Sequence, residues 1–453
     1  MFSFLPSFLI AQTTTPTPAP VEVVQPQIVR SLPGKLDDVP VFNSNSPELV
    51  LKEGILLSTF RGKGKKMPSA HLNFPFKGRF DIFAHHVAKA STPSDLRTLY
   101  LGIMLHNPTS QPVTVNTIHA ASYLSQPDAP FIDLPSQKNN YFGRVFAGPG
   151  SRVTSDVLRK RRQSTIPAQL IIPPGKTRMI MNAPIPVKEL EPPINGRSTL
   201  MRLWSSGKVH AASLAMFAPT NADGSERPPT LQEWQNLLNN GDLAGPRDKA
   251  PTPPEDVNKP IIYGRVSGVA KGSQWNSLVV DNPKKTYLTI PQPGKAFSYG
   301  IATLHRGTLG TNQIQTAKML ARYPDTAYYA HGNYGIQYSL QLPLLNKSST
   351  LQTVKVSLQT PIKEDKLTKD GLRFFDNPSK RVFFRGTVRV RYTDDRGLPR
   401  TRYLHLVQNR GQRGEPLTTL NIKPGDKRLV EVDLLYPPDA TPPQVLTVET
   451  EDK

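Results

Sequence analysis

The sequence predicts an all-β protein of two β-sandwich domains, immunoglobulin-like in plan, joined by a proline-rich linker with one short helix. Three observations carry that prediction. First, two stretches show an apolar period of two, which marks half-buried strands. Tyr334, Ile336, Tyr338, Leu340, Leu342 and Leu344 share one face, and Leu99, Leu101, Ile103 and Leu105 share another. Second, the 453-residue chain holds 46 prolines, roughly twice the ordinary share. That density excludes long helices and favours short strands with many turns.

Third, the two stretches echo each other. NPTSQ (107–111) matches NKSST (346–350), QPVTV (111–115) matches QTVKV (352–356), and PPGKTR (173–178) matches KPGDKR (423–428). The offset drifts from 239 residues at the asparagine to 241 at the return strand and 250 at the Pro-Gly turn. Loop insertions in a duplicated domain produce such drift; two coincidental hairpins are the alternative.

Composition bounds the function classes. Lys and Arg number 56 against 35 Asp and Glu, a net charge of +21. Such a surface favours polyanions, whether nucleic acid, anionic lipid headgroups or acidic polysaccharide. The chain has no cysteine, which excludes disulfides, thiolate metal sites and a cysteine nucleophile. It does not by itself assign a reducing compartment.

In chain order, residues 1–12 (MFSFLPSFLIAQ) are apolar and read as the end of a secretory signal, cleaved near Ala11 or Gln12. No basic residue precedes the run, so either the true start lies upstream or the segment is a sticky terminus. It is too short to span a bilayer, and no other stretch reaches that length. Residues 13–40 read as a Thr/Pro-rich extended leader, and 41–217 as the first sandwich. RGKGKK (61–66) is a basic loop within it. His85 and His86 are strand neighbours and point to opposite faces, so they do not share a metal; one core and one surface histidine are expected. Residues 139–163 read as a polar loop ending in Arg159, Lys160, Arg161 and Arg162, either a polyanion contact or a solvated run.

Residues 218–260 form the linker. Within it 230–240 predicts a helix, with Thr230 as N-cap, Glu233 closing a capping box, and Leu231, Trp234, Leu237 and Leu238 on its apolar face. Such a face must dock on a domain. The second β-rich domain spans 261–453. Gly264, Gly268 and Gly272 do not have the spacing of a nucleotide loop, and 312–322 (NQIQTAKMLAR) suits a helix. The clearest hairpin is 381–392 with 400–408. It places Arg385, Arg389 and Arg391 on one face, with Arg400 and Arg402 opposite, as a basic patch.

Several segments resemble a family of cyanobacterial secreted proteins of unknown function: FRGTVRVRYTDDRG (384–397) through GEPL (414–417), YPPDATPPQVLTV (436–448), LHNPTSQPVTV (105–115), SQPDAPFIDLP (125–135) and DLAGPRDKAPTPP (242–254). The resemblance covers most of the chain after the leader. It implies an envelope or extracellular location and brings no activity and no catalytic residue.

The function expected is therefore a non-catalytic secreted, periplasmic or outer-envelope protein that binds an acidic polysaccharide, peptidoglycan or another envelope protein. No cofactor or metal is expected. A carbohydrate-active enzyme is the alternative. Its acid pair would come from residues such as Asp394, Asp395 and Glu415, all in turns, and no GxSxG, HExxH or SxxK motif supports catalysis. Nucleic-acid binding, from charge alone, is the third reading and lacks interleaved aromatic platforms.

Overall fold

The structure, a computed structural model, describes residues 21–256 and 258–452. The expected signal-like start at 1–12 lies outside them. Among the described residues there are 26 strands and two α-helices, so the chain is all-β as expected.

The first half is built around one long strand, Ile194–Phe217. Its first part pairs with Phe76–Lys89 on one side and Val113–Leu124 on the other. Its last part, from His210 onward, pairs with Leu99–His106 and Gly54–Ser58 in a second layer. The register breaks between Ser205 and Val209, where the strand passes from one layer to the other. The core between the layers holds Phe76, Phe80, Ile82, Leu101, Ile103, Leu105, Val113 and Val115, all buried.

The second half packs two further sheets. One contains Gln337–Leu345, Lys427–Leu435, Val382–Thr393 and Pro399–Asn409; the other contains Ala296–Ile301, Gln444–Thr450, Gln352–Gln359 and Pro416–Ile422. Tyr338, Leu340, Leu342, Leu344, Val354 and Val356 are buried between them. The predicted alternation thus corresponds to a real inner face.

The two halves repeat one pairing scheme. Leu99–His106 pairs with Thr177–Ile185, and Gln337–Leu345 pairs with Lys427–Leu435. Val113 sits opposite Ile172, and Gln352 sits opposite Ile422. The structural offset therefore stays at its value at the asparagine through the return strand, because Gln352 answers Val113 rather than Gln111. Gly175 and Gly425 turn the two later hairpins, both with φ near +70° (66° and 75°).

Strands cross between the halves. Ser267–Lys271 pairs with Pro40–Ser44 in the first half's sheet. Gln137–Asn139 pairs with Leu404, His405 and Leu406 at the edge of the second half's sheet. Residues 21–30, read from sequence as leader, are extended: Glu22–Pro26 pairs with Gly371–Phe375 and Ile28–Arg30 with Ala296–Ile301.

Helix α2, Leu231–Asn240, has the expected capping box at Thr230 and Glu233. Trp234 is buried and lies against Gly102, where a Cβ would come within 2.7 Å of the indole. His86 is buried, bonded to Ser44 and to the carbonyl of Pro47. His85 faces the other way, toward Ser198 and Glu48.

Two local expectations are corrected. Residues 317–322 are a strand, not a helix: Ala317 and Met319 alternate inward, and Met319 sits opposite Ala270. An open edge at Ser267–Lys271 overrode the helical propensity of AKMLAR. Within the expected loop 139–163 stands helix α1, Pro149–Leu158. Pro149 at its first position and Val153, Val157 and Leu158 on its buried face were the signals available.

Candidate polyanion-binding site

The strand Val382–Thr393 buries Phe384, Val388 and Val390 and turns Arg385, Arg389 and Arg391 to the opposite face, as its alternation predicts. The neighbouring strand supplies acids in register. Asp433 lies opposite Arg389 and Glu431 opposite Arg391, and the ion pairs measure 3.0 Å each, with a further contact of 3.7 Å from Arg391 to Asp433. The charge of this face is thus largely matched within the sheet. The guanidinium of Arg385 lies 5.1 Å from the centre of the Phe131 ring.

Arg400 and Arg402 sit opposite Tyr392 and Val390, so they share the apolar registers and point to the other side of the sheet. Arg400 pairs with Asp394 at 2.7 Å. Arg402 donates to the carbonyl of Leu417 at 2.9 Å. The five hairpin arginines therefore do not form one continuous surface.

The second predicted cluster meets the hairpin. Gln137–Asn139 joins its edge, and the amide of Asn140 donates to the carbonyl of Tyr403 at 2.7 Å. Helix α1 then packs on the same sheet, and its Gly150 lies so close to Pro438 that a Cβ would clash at 2.2 Å. The chain returns with the guanidinium of Arg159 3.8 Å over the Tyr403 ring. Arg389 is the cross-strand partner of Tyr403. The two clusters so far apart in sequence flank one tyrosine.

The four basic residues after α1 have different fates. Arg159 donates to the carbonyls of Asn140 and Tyr141, and Arg162 to those of Gln163 and Ile166. Lys160 is exposed, in the left-handed region at φ 62°. Arg161 is half exposed and pairs with Asp156 at 3.0 Å.

Beside Arg161 lies a cavity of about 440 Å³ lined by Tyr123, Phe142, Arg144, Phe146, Arg152 and Asp156. Arg152 lies between two rings, 3.9 Å from Tyr123 and 4.5 Å from Phe146. The Tyr123 hydroxyl donates to Asp156 at 2.6 Å, and burial together with that carboxylate pushes the phenol up to about 12. Asp156 thus anchors both a tyrosine and an arginine. Tyr141 and Phe142 stand beside the cavity, 66% and 70% exposed, far more than large apolar rings usually are.

Three guanidinium groups and one carboxylate leave the cavity net positive. Arg144 and Lys160 form no ion pair among the described residues. Guanidinium forks suit carboxylate, sulfate and phosphate, and the exposed Phe142 ring offers a flat face to a sugar or base. Arg144, Arg152, Tyr123, Phe142 and Phe146 were not singled out from sequence; a cluster of aromatic and basic residues over 141–152 was the available signal.

The acids considered for catalysis are engaged in structural hydrogen bonds. Asp394 accepts the amides of Arg396 and Leu398, and Asp395 binds Asn421 through backbone and side chain. Glu415 accepts from Ser136. Among the described residues no three His, Asp or Glu side chains stand together to hold a metal, and no helix is long and apolar enough to cross a membrane.

The fold and this surface define an all-β protein of repeated, interlocked sandwiches with an arginine–aromatic cavity at their junction. The chain belongs to the family described as Protein of unknown function (DUF3370), whose model matches residues 27–450. No curated protein matches. Among solved structures, the coconut allergen cocosin is 9% identical over 89% of this chain and 86% of its own, with a TM-score of 0.10. Procruciferin, the 11S globulin of Brassica napus, is 10% identical over 93% and 86%, with the same TM-score of 0.10. At such scores the likeness carries no argument about fold or function.

Proposed function

We propose that this protein is an exported, non-catalytic component of a cyanobacterial cell envelope, or is secreted from such a cell, and binds an anionic surface polymer such as an acidic polysaccharide or peptidoglycan. One observation carries the reading: Arg144, Arg152 and Arg161 converge on a cavity walled by Tyr123, Phe142 and Phe146 with a single carboxylate among them. The net charge of +21 supports it by drawing polyanions toward the surface. The apolar run at 1–12 and the resemblance to secreted proteins support the location.

Two experiments test the reading. Fractionation of the native host, with sequencing of the mature N-terminus, is expected to find the protein in envelope or medium, processed near residue 12. Unprocessed protein in the cytoplasm contradicts export. Affinity electrophoresis in gels containing polygalacturonate or alginate is expected to retard the protein, with retardation relieved by salt. Retardation by single-stranded DNA alone would favour nucleic acid, and shortening of the polymer would favour an enzyme.

A further inference from the structure

A second concavity lies where strands of the second half join the sheet of the first. Its centre is a cluster of rings meeting at tilted and edge-on angles: the centroids of Tyr263 and His331 are 4.6 Å apart, Tyr329 and His331 5.7 Å, and His305 and Tyr329 5.3 Å. His331 lines a cleft on each side. The outer cleft, of about 460 Å³, is also lined by Pro253, Ile262, His305, Ile314 and Tyr329. The inner one, of about 200 Å³, is lined by Asn43, Asn45, Tyr263, Lys363 and Thr441. The volume of the outer cleft falls within the usual range for ligand sites, roughly 300–1,000 Å³.

The Tyr263 hydroxyl ties the cluster to its surroundings. It donates to the carbonyl of His305 at 2.6 Å and accepts from the Lys363 ammonium at 2.6 Å. Yet polar atoms around it are left over. Oδ1 of Asn43, Oδ1 of Asn45 and Nδ1 of His331 are buried with no hydrogen-bond partner. Asn43 and Asn45 are only 4% and 3% exposed. Buried polar atoms are normally satisfied, and leaving one unpaired costs about 1–3 kcal/mol. Two asparagines one residue apart, at the end of the strand Pro40–Ser44 and just beyond it, doing so beside a cleft point to a ligand that completes them.

The chemistry of the lining selects the ligand class. In the outer cleft Arg306 and Lys366 face Asp256 and Asp365, so the charges balance there; of the two cations lining the inner cleft, Arg265 pairs with Glu48 and the Lys363 ammonium is engaged by the Tyr263 hydroxyl. Burial holds His331 neutral by pushing its ring down to about 3. Ring faces with aliphatic neighbours suit the C–H face of a pyranose. A carboxamide is satisfied by a hydroxyl in either orientation, because a hydroxyl both donates and accepts. We propose that the paired clefts around the Tyr263–His331 ring pair bind an uncharged saccharide, with one sugar ring against Tyr329 and His305 and hydroxyls reaching Asn43 and Asn45. This site shares no residue with the arginine cavity and stands whether or not that cavity binds a polyanion.

The test uses the full chain and three probes, maltotriose, cellotriose and chitotriose, followed by calorimetry and saturation-transfer NMR. At least one trisaccharide is expected to bind. Tyr329→Ala and Asn45→Ala are each expected to weaken it about tenfold or more. Ile262→Trp alters an exposed rim position (42% exposed) that the core does not need; it narrows the outer cleft and is expected to block binding with the melting temperature unchanged. Retardation by acidic polymer is expected to survive all three changes. Failure of all three probes to bind at about 10 mM, or binding unchanged in Ile262→Trp, overturns the proposal.

Discussion

Asn107 and Asn346, fully buried and 239 residues apart, make the same hydrogen bonds. Each carboxamide nitrogen donates to a carbonyl four residues on, Gln111 or Thr350, at 2.7 and 2.8 Å. Each also donates across to the strand end, Ile172 or Ile422, at 2.9 and 2.8 Å. Each carboxamide oxygen accepts the amide and hydroxyl of the second residue on, Thr109 or Ser348. Even the backbone pairs correspond, Asn107 to Lys176 and Asn346 to Asp426. Matching bonds at two buried turns, with the same strands paired around them, make duplication the simplest account of the two halves. Replacing Asn107 or Asn346 with Ala strands several buried backbone groups. We expect each change to cost about 2–4 kcal/mol, measured by chemical denaturation, with Asn107→Ala and Asn346→Ala of similar size.

Gly102 and Trp234 set the position of α2 on the first sandwich. The indole occupies the space that a side chain at residue 102 needs, and its N–H reaches Asn182 at 3.3 Å. Gly102→Ala is expected to displace the indole and cost about 1–3 kcal/mol. Trp234→Ala is expected to cost about 3–5 kcal/mol. Near-ultraviolet circular dichroism and denaturation together check both, and an unshifted midpoint for Gly102→Ala contradicts the packing account.

Arg389 serves Asp433 before any ligand. Asp433 is only 4% exposed, so Arg389→Ser leaves a buried carboxylate with only the longer 3.7 Å contact to Arg391, with an expected loss of about 1–3 kcal/mol. The double change Arg389→Ser with Asp433→Ser is expected to recover part of it. A stability unchanged in the single variant would show that the pair is solvated.

His405 contributes an acid-sensitive step. It is fully buried, neither ring nitrogen has a partner, and burial followed by the nearby Arg385 charge pushes it down to about 4. Unfolded, the ring takes a proton near its ordinary value of 6.5. The unfolded state therefore binds more protons between these values, and stability falls as pH drops from about 6.5 toward 4. His405→Leu, close in volume, is expected to flatten that part of the pH–stability curve and to leave stability near pH 7 equal or higher. An unchanged slope would place the acid sensitivity elsewhere.

What the sequence made legible follows the reach of each signal. Alternation along 382–392 and 334–344 located strands and their inner faces, because a period of two depends only on neighbours along the chain. The turn chemistry of Asn107, Asn346, Gly175 and Gly425 revealed the repeat. The capping box at Thr230 and Glu233 marked α2 for the same local reason. Alternation does not tell what lies across a sheet: Glu431 and Asp433, which match Arg391 and Arg389, come from another strand. Nor does it show that Gln137–Asn139 crosses to the second half's sheet edge, so the meeting of Arg159 with Tyr403 was hidden, as was the cavity around Arg152.

The salt dependence of binding tests the central claim most directly. Affinity of the full chain for polygalacturonate, measured across salt concentrations, is compared with that of Arg144→Ser/Arg161→Ser, two exposed changes outside both cores. The account predicts weaker binding by about tenfold or more at low salt and a shallower dependence on salt in the variant, with only a small fall in melting temperature from loss of the half-exposed Arg161–Asp156 pair. Equal affinity and equal salt slope in the two proteins would contradict it and remove the cavity from the binding surface.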